Sequence, residues 1–174
     1  MLVILGGLPG AGKTTIACAL AKQLGAVHVR VDTIEQNIRA SIAPSFDVGP
    51  AGYVVAYGIA RDNLALGNTV VADSVNCLHV TRDAWLSVAK RSVVQAVEVE
   101  VICSDKAEHR RRAETRETDV EGLVKPIWDE ITRRVYEDWG ERPLVVDTAK
   151  MGVDELAADL VSKLKLRRKH QTLT

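Results

Sequence analysis

Lys13, Thr14 and Thr15 follow directly on "GGLPGAG", where four glycines and a proline fall within seven residues. Glycine loses more backbone freedom on folding than any other residue, so such a cluster marks unusual dihedrals or a backbone that a ligand must approach closely. Gly7, Gly12, Lys13 and Thr14 fit G-x-x-x-x-G-K-S/T, the phosphate-binding P-loop. The glycines let successive N–H groups turn inward on phosphate oxygens, the following helix presents its positive end, and Lys13 adds a mobile cation. The candidate cradle comprises Gly7, Leu8, Pro9, Gly10, Ala11, Gly12, Lys13, Thr14 and Thr15, with the Thr14 hydroxyl as a magnesium ligand. A dinucleotide fingerprint needs G-x-G-x-x-G, a spacing that Gly7, Gly10 and Gly12 do not have.

Two aspartates stand where strands end. Asp32 closes "AVHVRVD", at a point from which a carboxylate accepts the proton of an attacking hydroxyl. The same "DTIE" also reads as a variant capping box, with Asp32 as cap and Glu35 reaching back, and the two roles are compatible. Asp73 ends the apolar run "NTVVAD", the Walker B arrangement that holds magnesium through its water shell; the rival reading is a helix or turn cap.

The segment "DKAEHRRRAETRETD" (105–119) is rich in helix formers, yet Ala107 and Ala113 are its only apolar residues. Arg112 and Arg116 fall one turn apart on one helical face. Two readings compete: a solvated, salt-bridged surface helix, and a lid over about 105–125 whose arginines close on the transferring phosphoryl group and exclude water. Arg39 either reaches a substrate oxygen or pairs with Glu35 four residues earlier. Asn76, in "ADSVN", is a further substrate candidate, and the loop after "VVDT" (145–148) borders the site of a base. Trp128, Ile131, Val135 and Trp139 follow helical spacing and read as core. The histidines have no metal-ligand spacing.

These groups must be positioned by short β-branched runs at 2–5, 27–31, 69–73, 97–103 and 143–147. Between and after them, helical periods cover about 13–24, 33–42, 50–66, 80–91, 105–118, 125–139 and 153–166. Such alternation predicts an α/β protein, a parallel sheet with helices on both faces, binding ligands at the carboxyl ends of its strands. The 174 residues suit a single domain, ending in a basic tail at about 163–174 that reads as a frayed helix.

Lysine plus arginine and aspartate plus glutamate number 23 each, and no aromatic-basic groove is evident, so the composition argues against a nucleic-acid partner. Cys18, Cys77 and Cys103 are odd in number and form no C-x-x-C pair, which fits a reducing, cytoplasmic setting. No apolar stretch is long enough for a membrane span. A small-molecule partner is the expectation, with self-association left open.

"GGLPGAGKTT", the Asp32 position, "VVADS" and the pair Arg112 and Arg116 together resemble the small P-loop kinases, which include chloramphenicol phosphotransferase, gluconate kinase, adenylylsulfate kinase and the zeta-toxin kinases. The resemblance implies a three-layer P-loop NTPase fold with strand order 2-3-1-4-5 and ATP on the loop. It also implies Lys13 on the transferred phosphate, Thr14 and Asp73 on Mg2+, and Asp32 as base toward a hydroxyl substrate. The stretches at 49–63 and 73–83 match none of those members, so they identify no acceptor. A 5'-hydroxyl nucleoside or polynucleotide kinase and a nucleotide-dependent regulatory ATPase are the alternatives.

Overall fold

The computed structural model describes residues 1–42, 47–117, 120–141 and 143–171, with side chains described as far as Arg167. In chain order the elements are β1 (Leu2–Gly6), α1 (Lys13–Leu24), β2 (Val27–Arg30), α2 (Val31–Ile42), α3 (Ala51–Ala65), β3 (Val70–Asp73), α4 (His79–Arg91), β4 (Ala96–Ile102), α5 (Lys106–Thr115), α6 (Trp128–Arg133), β5 (Leu144–Asp147) and α7 (Val153–Gln171).

All of β1 is buried, and alternation along a strand sends its side chains to opposite faces. Val3 and Leu5 pack with Ile16 and Leu20 of α1 and with Leu160 and Leu164 of α7. Leu2 and Ile4 pack on the other side with Ala56 and Ala60 of α3 and Trp85 of α4. A strand covered on both faces reads as a continuous apolar run, which is why "LVIL" shows no alternation. The five-stranded parallel sheet has the order β2-β3-β1-β4-β5, as the resemblance implies. Leu5 and Arg30 are both in register with Asp73, so β1, β2 and β3 finish level and deliver their succeeding loops and helices to one edge.

Several boundaries depart from the sequence expectation. Helix α2 begins at Val31, directly after β2, so Asp32 lies inside its first turn rather than at a cap. A carboxylate there is still favoured by the helix dipole. Helix α5 stops at Thr115, with Arg116 extended (φ −57°, ψ 135°), which removes Arg116 from the helical face of Arg112. The helix expected over 125–139 is only Trp128–Arg133. Beyond it, Glu137 N donates to Cys77 O at 2.8 Å, and buried Arg82 donates to the carbonyls of Glu137 and Asp138, each at 3.0 Å. These long-range bonds hold 134–139 extended against its helical periodicity: Ile131 and Trp139 are buried as expected, but Val135 is exposed. Helix α7 runs to Gln171, so the basic tail continues it; the remainder of that tail, like residues 118 and 119 of the expected lid, lies outside the described residues.

Candidate active site

The glycine cluster between β1 and α1 is shaped by close approach. A Cβ on Gly6 would overlap the Trp139 indole, and one on Gly7 (φ 143°) would overlap the Val101 carbonyl. Gly10 (φ 86°) and Gly12 (φ 95°) also take left-handed backbone, and Ala113 of α5 sits 3.0 Å from where a Gly10 Cβ would stand. Gly12 caps α1 with no side-chain hydrogen bond, so the first N–H groups of that helix point outward without an internal partner. This is a concave cradle of backbone donors at a helix N-terminus, suited to phosphate oxygens.

Lys13 is buried and its Nζ donates to Leu8 O at 3.1 Å. Burial lowers its pKa below the usual lysine value; Asp73 and Asp32 oppose that shift, while Arg116 and Arg134 add to it. Asp73 is 3% exposed and accepts from His28 Nε2 at 3.2 Å and from the Thr14 side chain. Burial pushes the Asp73 carboxyl up, but the His28 bond and the Lys13 charge outweigh it and hold the group below the usual carboxylate value. With Nε2 donating to Asp73, His28 turns Nδ1 toward Cys18 Sγ, 3.7 Å away. Among the described residues, no set of three His, Cys, Asp or Glu gathers to hold a metal by itself. The Thr14 hydroxyl and Asp73 carboxylate are oxygen donors of the kind magnesium takes, alongside water and phosphate oxygens.

Beside this loop opens a cavity of about 1150 Å³. Lys13, Thr14, Asp32, Arg39 and Arg116 all line it, together with Pro9 of the loop. Among the described residues, the buried Arg116 Nε has no hydrogen-bond partner. Arg39 Nη2 lies 4.0 Å from Glu35 Oε2, which matches the pairing expected four residues apart, and the residue also lines the cavity. Burial and the charge of Asp32 raise the Glu35 pKa, with Arg39 opposing.

Arg112 goes elsewhere. It donates to the Thr148 hydroxyl at 2.9 Å and to the Thr148 carbonyl at 3.3 Å, and it pairs with Glu108 at 2.7 Å. Thr148 Oγ1 in turn donates to the Ala11 carbonyl at 2.8 Å. The apolar poverty of α5 conceals a docking face: His109 Nε2 donates to Pro9 O at 2.9 Å, and Ala113 packs on Gly10. His109, Arg112 and Ala113 thus fasten the helix to the P-loop, whereas Arg110 and Arg111 are solvent-facing ion pairs. Asn76 is wholly buried and lies off the cavity wall; its amide donates to Leu5 O at 2.7 Å, bracing the turn after β3 (φ 49°). Leu8, Gly10, Ala11 and Gly12 lie in the loop, and exposed Thr15 lies in the first turn of α1.

Three contributors were not evident from sequence. Arg134 lines the cavity near Lys13, carried there by the extended segment after α6. His28 reaches Asp73 from the neighbouring strand. Gln36, 8% exposed, joins Asp32, Glu35 and Arg39 on the cavity. The last of these had a visible signal: polar residues recur at i, i+3, i+4 and i+7 along α2.

Solved structures share this architecture. The chain is similar to the Mycobacterium tuberculosis APS kinase CysC in complex with AMPPNP and APS, with a TM-score of 0.70 and 17% identity over 94% of this chain and 96% of that one. It is similar to Chaetomium thermophilum Kti12 in complex with ADP-AlF3, with a TM-score of 0.69 and 20% identity over 94% and 97%. A gluconokinase from Sinorhizobium meliloti 1021 gives a TM-score of 0.61 and 20% identity over 95% of each chain. At these identities the likeness is one of fold, the P-loop kinase fold. The family model AAA_33, described as an AAA domain, matches residues 2–137, which contain the P-loop, Asp32, Asp73, Arg39, Arg112, Arg116 and Arg134. The chain therefore belongs to the AAA_33 family, and its sheet order and P-loop are those of the P-loop kinase fold.

Proposed function

We propose that this protein is an ATP- and Mg2+-dependent phosphotransferase that moves the γ-phosphoryl group of ATP to a hydroxyl of a small molecule. The observation that carries the reading is the convergence of Lys13, Thr14, Asp32, Arg116 and Arg134 on one cavity beside a glycine cradle. The loop N–H groups and Lys13 bind the phosphates, and the unpaired Arg116 Nε supplies a donor where negative charge develops. Magnesium, when bound by Thr14 and Asp73, neutralises charge on the phosphate oxygens. Asp32 takes the proton of the attacking hydroxyl as its oxygen bonds to phosphorus and ADP departs with the bridging oxygen.

The segment from 105 to about 125 acts as the lid, with Arg112 and Thr148 on the side of the base and Arg116 on the side of the phosphates. A cavity of about 1150 Å³ next to Lys13 leaves room for an acceptor, which favours transfer over a hydrolysing switch. Free Cys18, Cys77 and Cys103 support a reducing, cytoplasmic setting. Among the described residues, no helix is long and apolar enough to cross a membrane.

Calorimetric titration tests the donor half of the reading. Wild-type protein with magnesium is expected to bind ATP, and Lys13→Ala to weaken that binding by a hundredfold or more, on the order of 3 kcal/mol. Equal affinity in the variant would remove Lys13 from the site.

A further inference from the structure

Helix α2 turns a polar face inward. Asp32, Glu35, Gln36 and Arg39 share one side of it and line the cavity, while polar helix faces ordinarily look to solvent. They are withdrawn from water: Gln36 is 8% exposed, and the Glu35 and Arg39 side chains 22% and 32%. Glu35 is also held in place, since α3 approaches so closely that a Cβ on Gly52 would overlap it. Two carboxylates against one guanidinium leave this face with an excess negative charge, and Arg39 is already directed at Glu35 across 4.0 Å. The cations Arg116 and Arg134 act on Lys13, at the phosphate end of the cavity. Arg30 also lines the cavity and has partners within the protein. Away from α2 the lining includes apolar Val75, Leu78, Val120 and Leu123.

Carboxylates only accept hydrogen bonds, so an acceptor molecule lying on α2 must bring donors. An anionic acceptor would set like charge against Asp32 and Glu35. A wholly apolar one would strip both carboxylates of water and return no bond. Hydroxyls donate to Asp32 and Glu35 and accept from the Gln36 amide and the Arg39 guanidinium. The Asp32 and Glu35 backbones are offset by about 4.5 Å along the helix axis, a spacing comparable to that between hydroxyls on one small ring or chain.

We infer that the acceptor is an uncharged polyhydroxylated compound, a sugar, sugar alcohol or cyclitol, whose hydroxyls lie on α2 and whose C–H face meets the apolar lining. This rests on the phosphotransferase reading above. One hydroxyl oxygen bonds to the γ-phosphorus, the bond to the bridging oxygen breaks, ADP leaves with its electron pair, and the hydroxyl proton passes to Asp32.

The experiment gives the full chain γ-labelled ATP, magnesium and four panels of acceptors. These are neutral polyols (glucose, sorbitol, inositol), anions (gluconate, glycerol phosphate), an amine (glucosamine) and an apolar alcohol (benzyl alcohol). Label is expected on a neutral polyol. Glu35→Ala is expected to raise KM for that polyol at least tenfold while KM for ATP holds. Gln36→Leu, which keeps side-chain size, should raise it several-fold and serves if the first variant does not fold. Transfer confined to the anions, the amine or the apolar alcohol would overturn the inference and leave the phosphotransferase reading standing. Transfer to a polyol with KM unmoved in both variants would remove α2 from recognition. ATP binding with no labelled product from any panel would overturn the phosphotransferase reading and this inference with it.

Discussion

Asp73 is a buried carboxylate kept ionised by its neighbours, and His28 is the one that reaches it from a different strand. Groups that hold a metal-binding carboxylate in place commonly change metal affinity about 10- to 100-fold when removed. His28→Leu is therefore expected to raise the magnesium concentration needed to tighten ADP binding at least tenfold, with metal-free ADP affinity unchanged. Titration calorimetry at graded magnesium reads this directly, and an unaltered magnesium requirement would make the bond a spectator. Lys13, Thr14 and Asp73 were legible in the sequence because each sits at a fixed offset within a motif or at the end of an apolar strand. His28 was not, because its meaning depends on β2 lying beside β3, which strand order decides and local pattern does not. Asn76 shows the converse: its position just past a strand end suggested substrate, but the residue is wholly buried off the cavity wall, with its amide nitrogen donating to the Leu5 carbonyl.

Elements place the arginines. Arg134 comes after α6 because helix formation stops there, and the segment beyond is tied to α4 by Arg82, which also stacks 4.5 Å over the Trp139 ring. Periodicity over 125–139 could not show this, since bonds from residues more than fifty positions away decide it. Arg82→Met leaves the Glu137 and Asp138 carbonyls without that donor and is expected to cost about 2–3 kcal/mol in urea unfolding. A midpoint unchanged from wild type would show that Trp139 holds the segment alone. The loops after β4 and β5 are joined by Asp147, whose Oδ1 accepts from Ser104 N at 3.0 Å and Ala149 N at 3.1 Å. Burial pushes this carboxyl up, but the Ser104 side chain, those two backbone bonds and Lys150 hold it down to about 2. A folded-state value below the unfolded one means that ionised Asp147 adds stability above pH about 4, lost as pH falls through about 2. The melting-temperature gap between wild type and Asp147→Asn should accordingly be full at pH 6 and shrink on acidification below about 4. A gap that persists undiminished toward pH 2 would contradict the assignment.

Across the whole molecule, two apolar cores clamp a parallel sheet in which β1, β2 and β3 finish level, and that levelling brings residues far apart in sequence to one cavity. Strand order and the donor cradle were readable because they derive from apolar runs, glycine chemistry and family resemblance. The fastening of α5 to the loop was not readable, since a histidine, an arginine and an alanine supply the contact that a hydrophobic stripe usually makes. The proposed reaction is phosphoryl transfer to a hydroxyl with Asp32 as base. Tracing γ-labelled ATP through wild type and Asp32→Asn in the presence of acceptor, with ATP affinity measured alongside, puts both halves of it at risk. Label is expected on the acceptor in the wild type, and Asp32→Asn is expected to lower kcat by about a hundredfold or more at nearly unchanged ATP affinity. Label released only as inorganic phosphate whatever the acceptor, or turnover undiminished in Asp32→Asn, would contradict the proposal.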